Sequence, residues 1–123
     1  MQLLIIEDEV LIAKSLKKLI ERKGHSAEIV SSGKEAISII KSQDFDRIIC
    51  DLMLQDISGF DVIEESKDRY NNEEISDKFI IMTAYSSGQI LDRASQYGCI
   101  VLSKPFDSIN AAIDKFIQGK NFE

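Results

Sequence analysis

Short apolar runs alternate along the chain with segments in which apolar residues recur every three or four positions. Four of these runs contain no charged residue, whereas the segment Ala27 to Val30 carries Glu28 at its second position. Uninterrupted runs are typical of parallel strands covered on both faces, and a charge inside such a run favours an edge strand. The uninterrupted runs are 3–6, 48–50, 79–82 and 100–102.

The segments between the runs have the spacing of amphipathic helices. In residues 9–23 one helical face carries Ile12, Ala13, Leu16, Leu19 and Ile20, and Gly24 then supplies a C-terminal stop. Residues 68–78 are polar and are interpreted as the end of a helix followed by an exposed loop. The same reasoning predicts four further helices, which begin near Ser32, near Gly59, at Ser87 and at Asp107 as N-cap.

The alternation of strand and helix predicts an α/β fold in which residues 1–123 form a single domain. We expect a flavodoxin-like (βα)5 doubly wound parallel sheet with strand order 2-1-3-4-5 and right-handed crossovers. This order places the strand that carries Glu28 at an edge. Ligands of such sheets bind beyond the carboxyl ends of the strands, at the point between strands 1 and 3 where the order reverses.

Length, charge and composition narrow the function classes. The 123 residues suit one domain, and the formal net charge of −6 argues against nonspecific nucleic acid binding. No apolar run approaches the roughly 20 residues that span a bilayer, and the first run ends at Glu7, unlike a signal peptide. We therefore expect a cytoplasmic domain without membrane contact, in which Cys50 and Cys99 are buried, reduced thiols. Because His25 is the only histidine, a histidine-based catalytic triad is not expected.

Chemically reactive side chains follow four of the predicted strands. Strand 1 ends at Glu7 and Asp8, strand 3 at Asp51 and strand 4 at Thr83, and strand 5 runs into Lys104. On the predicted topology they share one edge, where three carboxylates would repel one another unless a cation such as Mg²⁺ neutralised them. A carboxylate can also act as a nucleophile and carry an acyl phosphate, which a metal ion, an ammonium and a hydroxyl would stabilise.

Taken singly, a strand-end Asp or Thr is more often a helix cap than a ligand. The ordered set, however, resembles the receiver domain of bacterial two-component response regulators, over residues 3 to about 117. The matching features are the acidic pair Glu7-Asp8, the acceptor-like Asp51, Gly59 eight residues later, Thr83-Ala84 and Lys104-Pro105-Phe106.

The resemblance implies phosphoryl transfer at this edge of the sheet. Asp51 would accept a phosphoryl group from a phosphohistidine on a histidine kinase or a histidine phosphotransfer protein. Thr83 and Lys104 would contact the phosphoryl oxygens, and the Lys104–Pro105 peptide bond would be cis. Such a domain catalyses only its own phosphorylation and dephosphorylation, so it is not an enzyme that turns over an external metabolite.

The resemblance also implies a metal site and an output surface. Asp8, Asp51 and the backbone carbonyl of Met53 would bind Mg²⁺ directly, and Glu7 would act through water. Phosphorylation would alter the surface formed by the fourth predicted helix (87–97), the fifth strand and the fifth predicted helix (107–118). A downstream protein target would bind this surface, and two copies of the domain could pair through it, without direct binding to nucleic acid.

Two positions depart from the family pattern, and two further residues bear on the phosphoryl site. Val101 occupies a position that is often aromatic and whose rotamer reports phosphorylation, so Tyr85 and Tyr97 become candidate substitutes. Gln55 replaces a frequent proline, which predicts a more mobile loop. Met53 and Tyr85 border the phosphoryl position, and their bulk is expected to slow attack by water.

Val10 and Leu11 fall off the buried stripe of the first helix, close to the acidic pair. One hypothesis is that these apolar side chains dock a histidine-bearing helix of the phosphoryl donor. The alternative is that they cover the loop after Asp51 or are scattered surface residues without a role. The sequence leaves both readings open.

Other function classes are less well supported. Aspartyl-phosphate hydrolases typically place a second aspartate two residues after the nucleophile, where this chain has Met53. Gly33-Lys34 superficially resembles a P-loop, but Glu28 replaces the required earlier glycine and Glu35 the Ser/Thr. The remaining alternative is a pseudo-receiver, a protein-interaction module that acts without phosphorylation, which Val101 keeps open.

Overall fold

Five parallel strands form one sheet in the predicted order 2-1-3-4-5. The computed structural model describes residues 1–84 and 87–121. β2 lies at one edge of the sheet, where the half-buried Glu28 is tolerated, and β5 lies at the other. The strands are β1 (Gln2–Ile6), β2 (Ser26–Val30), β3 (Arg47–Asp51), β4 (Phe79–Thr83) and β5 (Ile100–Ser103).

Helices connect the strands and cover both faces of the sheet. The fourth and fifth predicted helices correspond to α5 and α6, because an additional short helix precedes β4. Within the described residues, every helix is too short or too polar to cross a membrane. The helices are α1 (Val10–Arg22), α2 (Gly33–Ser42), α3 (Gly59–Ser66), α4 (Asn72–Lys78), α5 (Gly88–Tyr97) and α6 (Ile109–Gln118).

The prediction of an exposed loop over 68–78 is wrong for most of that segment, because α4 occupies it. A capping box begins this helix: the Asn71 side chain accepts from the Glu74 amide at 2.8 Å, and the Glu74 carboxylate accepts from the Asn71 amide at 3.1 Å. Ile75 is the only buried residue of the helix. A single apolar position cannot display a helical period, so the pattern gave no sign of α4.

The predicted N-cap of the last helix is also wrong. Ser108, not Asp107, caps α6, and its Oγ accepts from the Ala111 amide at 3.2 Å. Both residue types are good caps, so their order in the chain does not decide which one acts.

Two apolar layers enclose the sheet, as expected for a doubly wound fold. Successive strand residues point to opposite faces: Leu4 and Ile6 join one layer, and Leu3 and Ile5 join the other. The first layer receives side chains from α2, α3, α4 and α5, and the second receives them from α1 and α6. Both faces of the central strands are therefore buried, which explains why their sequences are uninterrupted apolar runs.

Both cysteines are free thiols. Cys50 is buried, as predicted, whereas Cys99 is only half-buried just before β5. Burial raises the pKa of the Cys99 thiol to about 11, so it stays protonated at neutral pH.

Strand register aligns the carboxyl ends of the strands along one edge. Ile6 pairs with Cys50, and Asp51 pairs with Met82. Thr83 pairs with Ser103, directly before Lys104. The reactive residues at these strand ends therefore share one edge of the sheet.

Candidate functional site

Three carboxylates meet at the ends of β1 and β3, where the strand order reverses. Glu7, Asp8 and Asp51 each offer one oxygen, and these oxygens all lie within 4.8 Å of one another. Glu7 and Asp51 are 1% and 4% exposed, and Asp8 is half-buried. Buried carboxylates at this separation need a nearby positive charge, because desolvation and mutual repulsion both oppose their ionisation.

The ammonium of Lys104 supplies part of that charge. Its Nζ lies 2.7 Å from Glu7 Oε1 and 2.8 Å from Asp51 Oδ2. The Lys104 amide also donates to the carbonyl of Thr83 at 2.8 Å. This bond fixes the start of the loop between β5 and α6 against the end of β4. The Lys104–Pro105 peptide bond is cis, as the resemblance implies.

The pKa values in this cluster reflect burial and shared hydrogen bonds. Burial raises the pKa of Glu7 to about 7; the hydrogen bond from Lys104 opposes this shift, and the charge of Asp51 adds to it. Burial alone would lower the pKa of Lys104, but its hydrogen bonds to Asp51 and Glu7 outweigh that effect and raise it. The lysine is therefore cationic at neutral pH.

The donor set fits a hard divalent cation. A cleft of about 340 Å³ opens above the carboxylates, and its lining is mainly polar. Carboxylate oxygens, a backbone carbonyl and water are the ligands that Mg²⁺ and Ca²⁺ prefer. The lining residues are Asp8, Glu9, Asp51, Met53, Gln55, Ala84 and Lys104.

The loop between β3 and α3 orients the central carboxylate. The Met53 amide donates to Asp51 Oδ1 at 3.0 Å, so both oxygens of Asp51 have a donor. The loop folds back tightly, because the Gly59 amide donates to the Leu52 carbonyl at 3.0 Å. A Cβ on Gly59 would lie only 2.5 Å from the Asp51 carbonyl oxygen, which explains why glycine stands eight residues after Asp51.

The structure thus brings together the predicted residues Glu7, Asp8, Asp51, Met53 and Lys104, and the backbone of Thr83 contacts that of Lys104. Sequence reasoning missed Asp56, whose carboxylate accepts hydrogen bonds from the amides of Gly33 and Lys34. Asp56 lies 23 residues after Gly33 and 22 after Lys34 in the chain, and no local sequence pattern indicates a contact over that separation. The two amides that donate to Asp56 belong to Gly33-Lys34, the dipeptide that superficially resembles a P-loop in sequence.

Val101 is half-buried and packs against the same apolar layer as Tyr97. The Tyr97 ring stacks on Phe60 with centroids 6.0 Å apart, and its hydroxyl donates to Glu64 Oε2 at 2.8 Å. Tyr97 therefore ties α5 to α3. Tyr85, the other candidate substitute for the aromatic position, lies outside the described residues.

An exposed apolar patch adjoins the site on α1. Val10 is 57% exposed and Leu11 is 82% exposed. Leu11 also lines an apolar cleft with Pro105 and Ile109, next to Lys104. The patch is therefore open to a partner.

The sequence of this chain is similar to a known protein family and to several characterised proteins. A family model described as the response regulator receiver domain matches residues 3–114. The transcriptional regulatory protein ZraR of Escherichia coli is 29% identical over 116 residues, which are 92% of this chain and 25% of ZraR. The chain spans between a quarter and about half of the length of the first curated relatives that it matches.

Solved structures agree with the fold. The receiver domain of the Francisella response regulator 1452 superposes with a TM-score of 0.81 at 26% identity, covering 94% of this chain and 93% of that one. A response regulator protein from Burkholderia pseudomallei gives 0.78 at 24% identity over 94% of this chain and 65% of that one. The Burkholderia structure contains a phosphorylated aspartic acid, a calcium ion and citrate.

Proposed function

This chain belongs to the response regulator receiver domain family of two-component signalling, and we propose that Asp51 is its phosphoryl acceptor. The donor would be a phosphohistidine of a histidine kinase or a histidine phosphotransfer protein. The observation that carries this proposal is the placement of the Asp51 carboxylate. It is buried at the end of β3, held by the Met53 amide and Lys104, and grouped with two further carboxylates.

In the proposed transfer, one Asp51 carboxylate oxygen forms a bond to phosphorus while the bond from phosphorus to the donor imidazole nitrogen breaks. The imidazole leaves with the electron pair of that bond and takes up a proton. Lys104 and the Thr83 hydroxyl stabilise the negative charge on the transferred oxygens. The product is an acyl phosphate, which water hydrolyses to restore Asp51 and release inorganic phosphate.

Mg²⁺ fits the same residues as the divalent ion of this site. Asp8, Asp51 and the carbonyl of Met53 would hold it directly, and Glu7 would act through water. When bound, the ion supplies charge neutralisation at the phosphoryl oxygens. The Burkholderia neighbour, whose structure contains both a phosphorylated aspartic acid and a calcium ion, supports the compatibility of this fold with both groups.

Two features of the loop bear on the lifetime of the phosphoryl group. Met53 is 56% exposed at the mouth of the cleft, where its side chain would hinder an approaching water molecule. Gln55 stands where many relatives have proline, yet the neighbouring Asp56 fixes the loop to α2. We therefore propose that the acyl phosphate persists long enough to signal.

The output surface is proposed to be the face of α5, β5 and α6. Phosphorylation would bias an existing equilibrium of this face, to which a downstream protein target or a second copy of the domain would bind. The acidic net charge of −6 favours a protein partner over direct nucleic acid binding. The two free thiols and the proposed donor favour action in the cytoplasm.

A pseudo-receiver is the second candidate, and Val101 is the observation that favours it. Valine has no ring to swing, so the phosphoryl state could not be reported through this position. Tyr97 offers a different link between α5 and α3.

Intact-protein mass after incubation with Mg²⁺ and acetyl phosphate tests the proposal, with Asp51→Asn as the matched control. We expect one added phosphoryl group on the wild type, and none on the variant or without the metal. If the wild type gains no mass, binding of beryllofluoride separates a short-lived phosphoryl group from a pseudo-receiver. Failure to bind that mimic would rule out the phosphoacceptor function.

A further inference from the structure

Asp56 lies in the loop between β3 and α3 but hydrogen-bonds to a different helix. Its Oδ1 accepts from the Gly33 amide and its Oδ2 from the Lys34 amide, each at 2.9 Å. These are the first two amides of α2, which have no partner within the helix. Ser32 Oγ accepts from the next amide, that of Glu35, at 3.1 Å. The start of α2 is therefore satisfied only with help from the loop that follows Asp51.

The charge of Asp56 suits this position. A carboxylate at a helix N-terminus interacts favourably with the helix dipole. The hydrogen bonds from Gly33 and Lys34 lower the pKa of Asp56, so it is ionised at neutral pH. The Asp56 carboxylate thus forms a charged, bidentate contact between the tip of the loop and the start of α2.

Packing reinforces the same attachment. A Cβ on Gly33 would lie 2.4 Å from Ile57 Cγ1, which shows how closely the loop approaches α2. The base of the loop is closed separately, by the bridge between Met53 and Ser58 and by the hydrogen bond from the Gly59 amide to the Leu52 carbonyl. The segment 52–58 is therefore fixed both at its base and at its tip.

We propose that Asp56 is a positioning residue of the acceptor site, which fixes the 52–58 loop to α2 and thereby holds Met53 over Asp51. This inference rests on the proposed function of Asp51. The Met53 amide donates to Asp51 Oδ1, and its carbonyl is the proposed metal ligand. With the tip released, Met53 is still held by its bridge to Ser58 and its hydrogen bond to Asp51. The position of Met53 is then less firmly fixed, which weakens metal binding and exposes the acyl phosphate to water.

The test compares Asp56→Ala and Asp56→Asn with Asp46→Ala. Asp56→Ala removes both acceptors, whereas Asp56→Asn keeps one acceptor and loses the charge. Asp46 is the matched control, because its Oδ2 accepts from the Gln2 amide at 2.7 Å. This contact lies at the amino-terminal ends of β1 and β3, away from the acceptor site. Three quantities are measured on each purified chain: stability in urea, Mg²⁺ affinity by calorimetry without phosphorylation, and the decay of the phosphorylated mass.

We expect Asp56→Ala to weaken Mg²⁺ affinity at least about threefold. That is less than the roughly 10- to 100-fold cost of losing a group bonded directly to a metal ligand, because Asp56 acts through the loop. The phosphoryl lifetime should shorten as well, with Asp56→Asn intermediate in both. Asp46→Ala should lose stability while its metal affinity and phosphoryl lifetime stay at the wild-type values.

The inference is overturned if Asp56→Asn and Asp56→Ala keep the wild-type affinity and lifetime, or if Asp46→Ala changes them equally. Its failure is distinct from that of the proposed function. A wild type that binds Mg²⁺ but accepts no phosphoryl group contradicts the proposed function and leaves metal affinity as the test of Asp56. A wild type that does not bind Mg²⁺ contradicts both.

Discussion

At the scale of single residues, one ammonium serves two buried carboxylates. Lys104 Nζ reaches Glu7 and Asp51 at hydrogen-bonding distance, and it is the charged group through which β1 and β3 are joined to the loop after β5. A transferred phosphoryl group would bring further negative charge to the same place. On the proposed mechanism Lys104 would act twice: before transfer it would hold the carboxylates, and during transfer it would stabilise the developing charge.

Replacing this ammonium should slow transfer more than it alters the fold. We expect Lys104→Met to reduce the rate of phosphoryl incorporation from acetyl phosphate by about 100-fold, as loss of one charge-stabilising donor does in other active sites. Lys41→Met is the control, since the exposed Lys41 Nζ lies 3.8 Å from Glu65 and far from the site. A rate within twofold of the wild type would contradict the assigned role.

A second prediction concerns Asp56 and pH. Its pKa is lowered from the ordinary 3.8 by the α2 amides, so its stabilising effect is present above that value and is lost as the pH falls through the lower, folded-state pKa. The stability difference between the wild type and Asp56→Asn should therefore be larger at neutral pH than at about pH 3. Urea unfolding of both chains measures it, and a difference that grows on acidification would contradict the assignment.

Some of the site residues could be predicted from the sequence, and others could not. Glu7, Asp51, Thr83 and Lys104 were placed together because a strand end is a local feature and parallel strands end at a common edge. The Asp56 contact depends on how two loops meet, which no local spacing encodes. The sequence could not decide between Asp107 and Ser108 as the cap of α6, because both residue types are good caps.

At the scale of elements, the β3–α3 connection is set by a close approach of backbones. The chain passes so near itself at Gly59 that a side chain would meet the Asp51 carbonyl oxygen and, at 2.9 Å, the Leu52 Cα. Backbone atoms cannot rotate aside as a side-chain tip can. The same turn begins α3, which Ser58 caps.

Gly59→Ala should therefore destabilise the fold by about 1–3 kcal/mol, the usual cost of overpacking, and should displace Asp51 enough to slow phosphoryl acceptance. Gly88→Ala is the matched control, because a Cβ there has no atom within 4 Å and lies at the first position of α5. Urea unfolding compares the two. Equal stability of both variants would show that the close approach is not constrained.

Strands were easier to predict than short helices for a physical reason. A strand buried on both faces needs every side chain to be apolar, so a run of three or four residues suffices as a signal. A helix buries a stripe, and α4 has one buried side chain, Ile75, in seven residues. Its capping box between Asn71 and Glu74 is the signal that could have revealed it.

At the scale of the whole molecule, the candidate site lies at the carboxyl ends of the strands, between the two apolar layers. The first turn of α1 lies beside this site and carries exposed apolar side chains. Leu11, at 82% exposure, adjoins the cleft that Lys104, Pro105 and Ile109 help to line. An exposed apolar side chain next to a charged site suits docking of the histidine-bearing helix of a donor.

Leu11→Asp should therefore reduce phosphoryl transfer from a histidine kinase or phosphotransfer protein that serves the wild type, by about tenfold or more. Phosphorylation by acetyl phosphate should not change, since that small donor needs no docking surface. Leu91→Asp, on the exposed side of α5, is the control. Unchanged transfer from the protein donor would show that Leu11 has no part in docking.

The lysine that completes the site also sets a condition on when the site can exist. Its bonds to Glu7 and Asp51 span 97 and 53 residues, so the two carboxylates leave the ribosome well before their counter-ion. Contacts of such long sequence separation form late in folding, and the N-terminal part of a chain is made first. A nascent or truncated chain that stops before β5 carries Asp51 without the ammonium of Lys104. Under the proposed function, competence to accept a phosphoryl group would therefore require that the chain has been made beyond β5 and that Lys104 has reached Glu7 and Asp51.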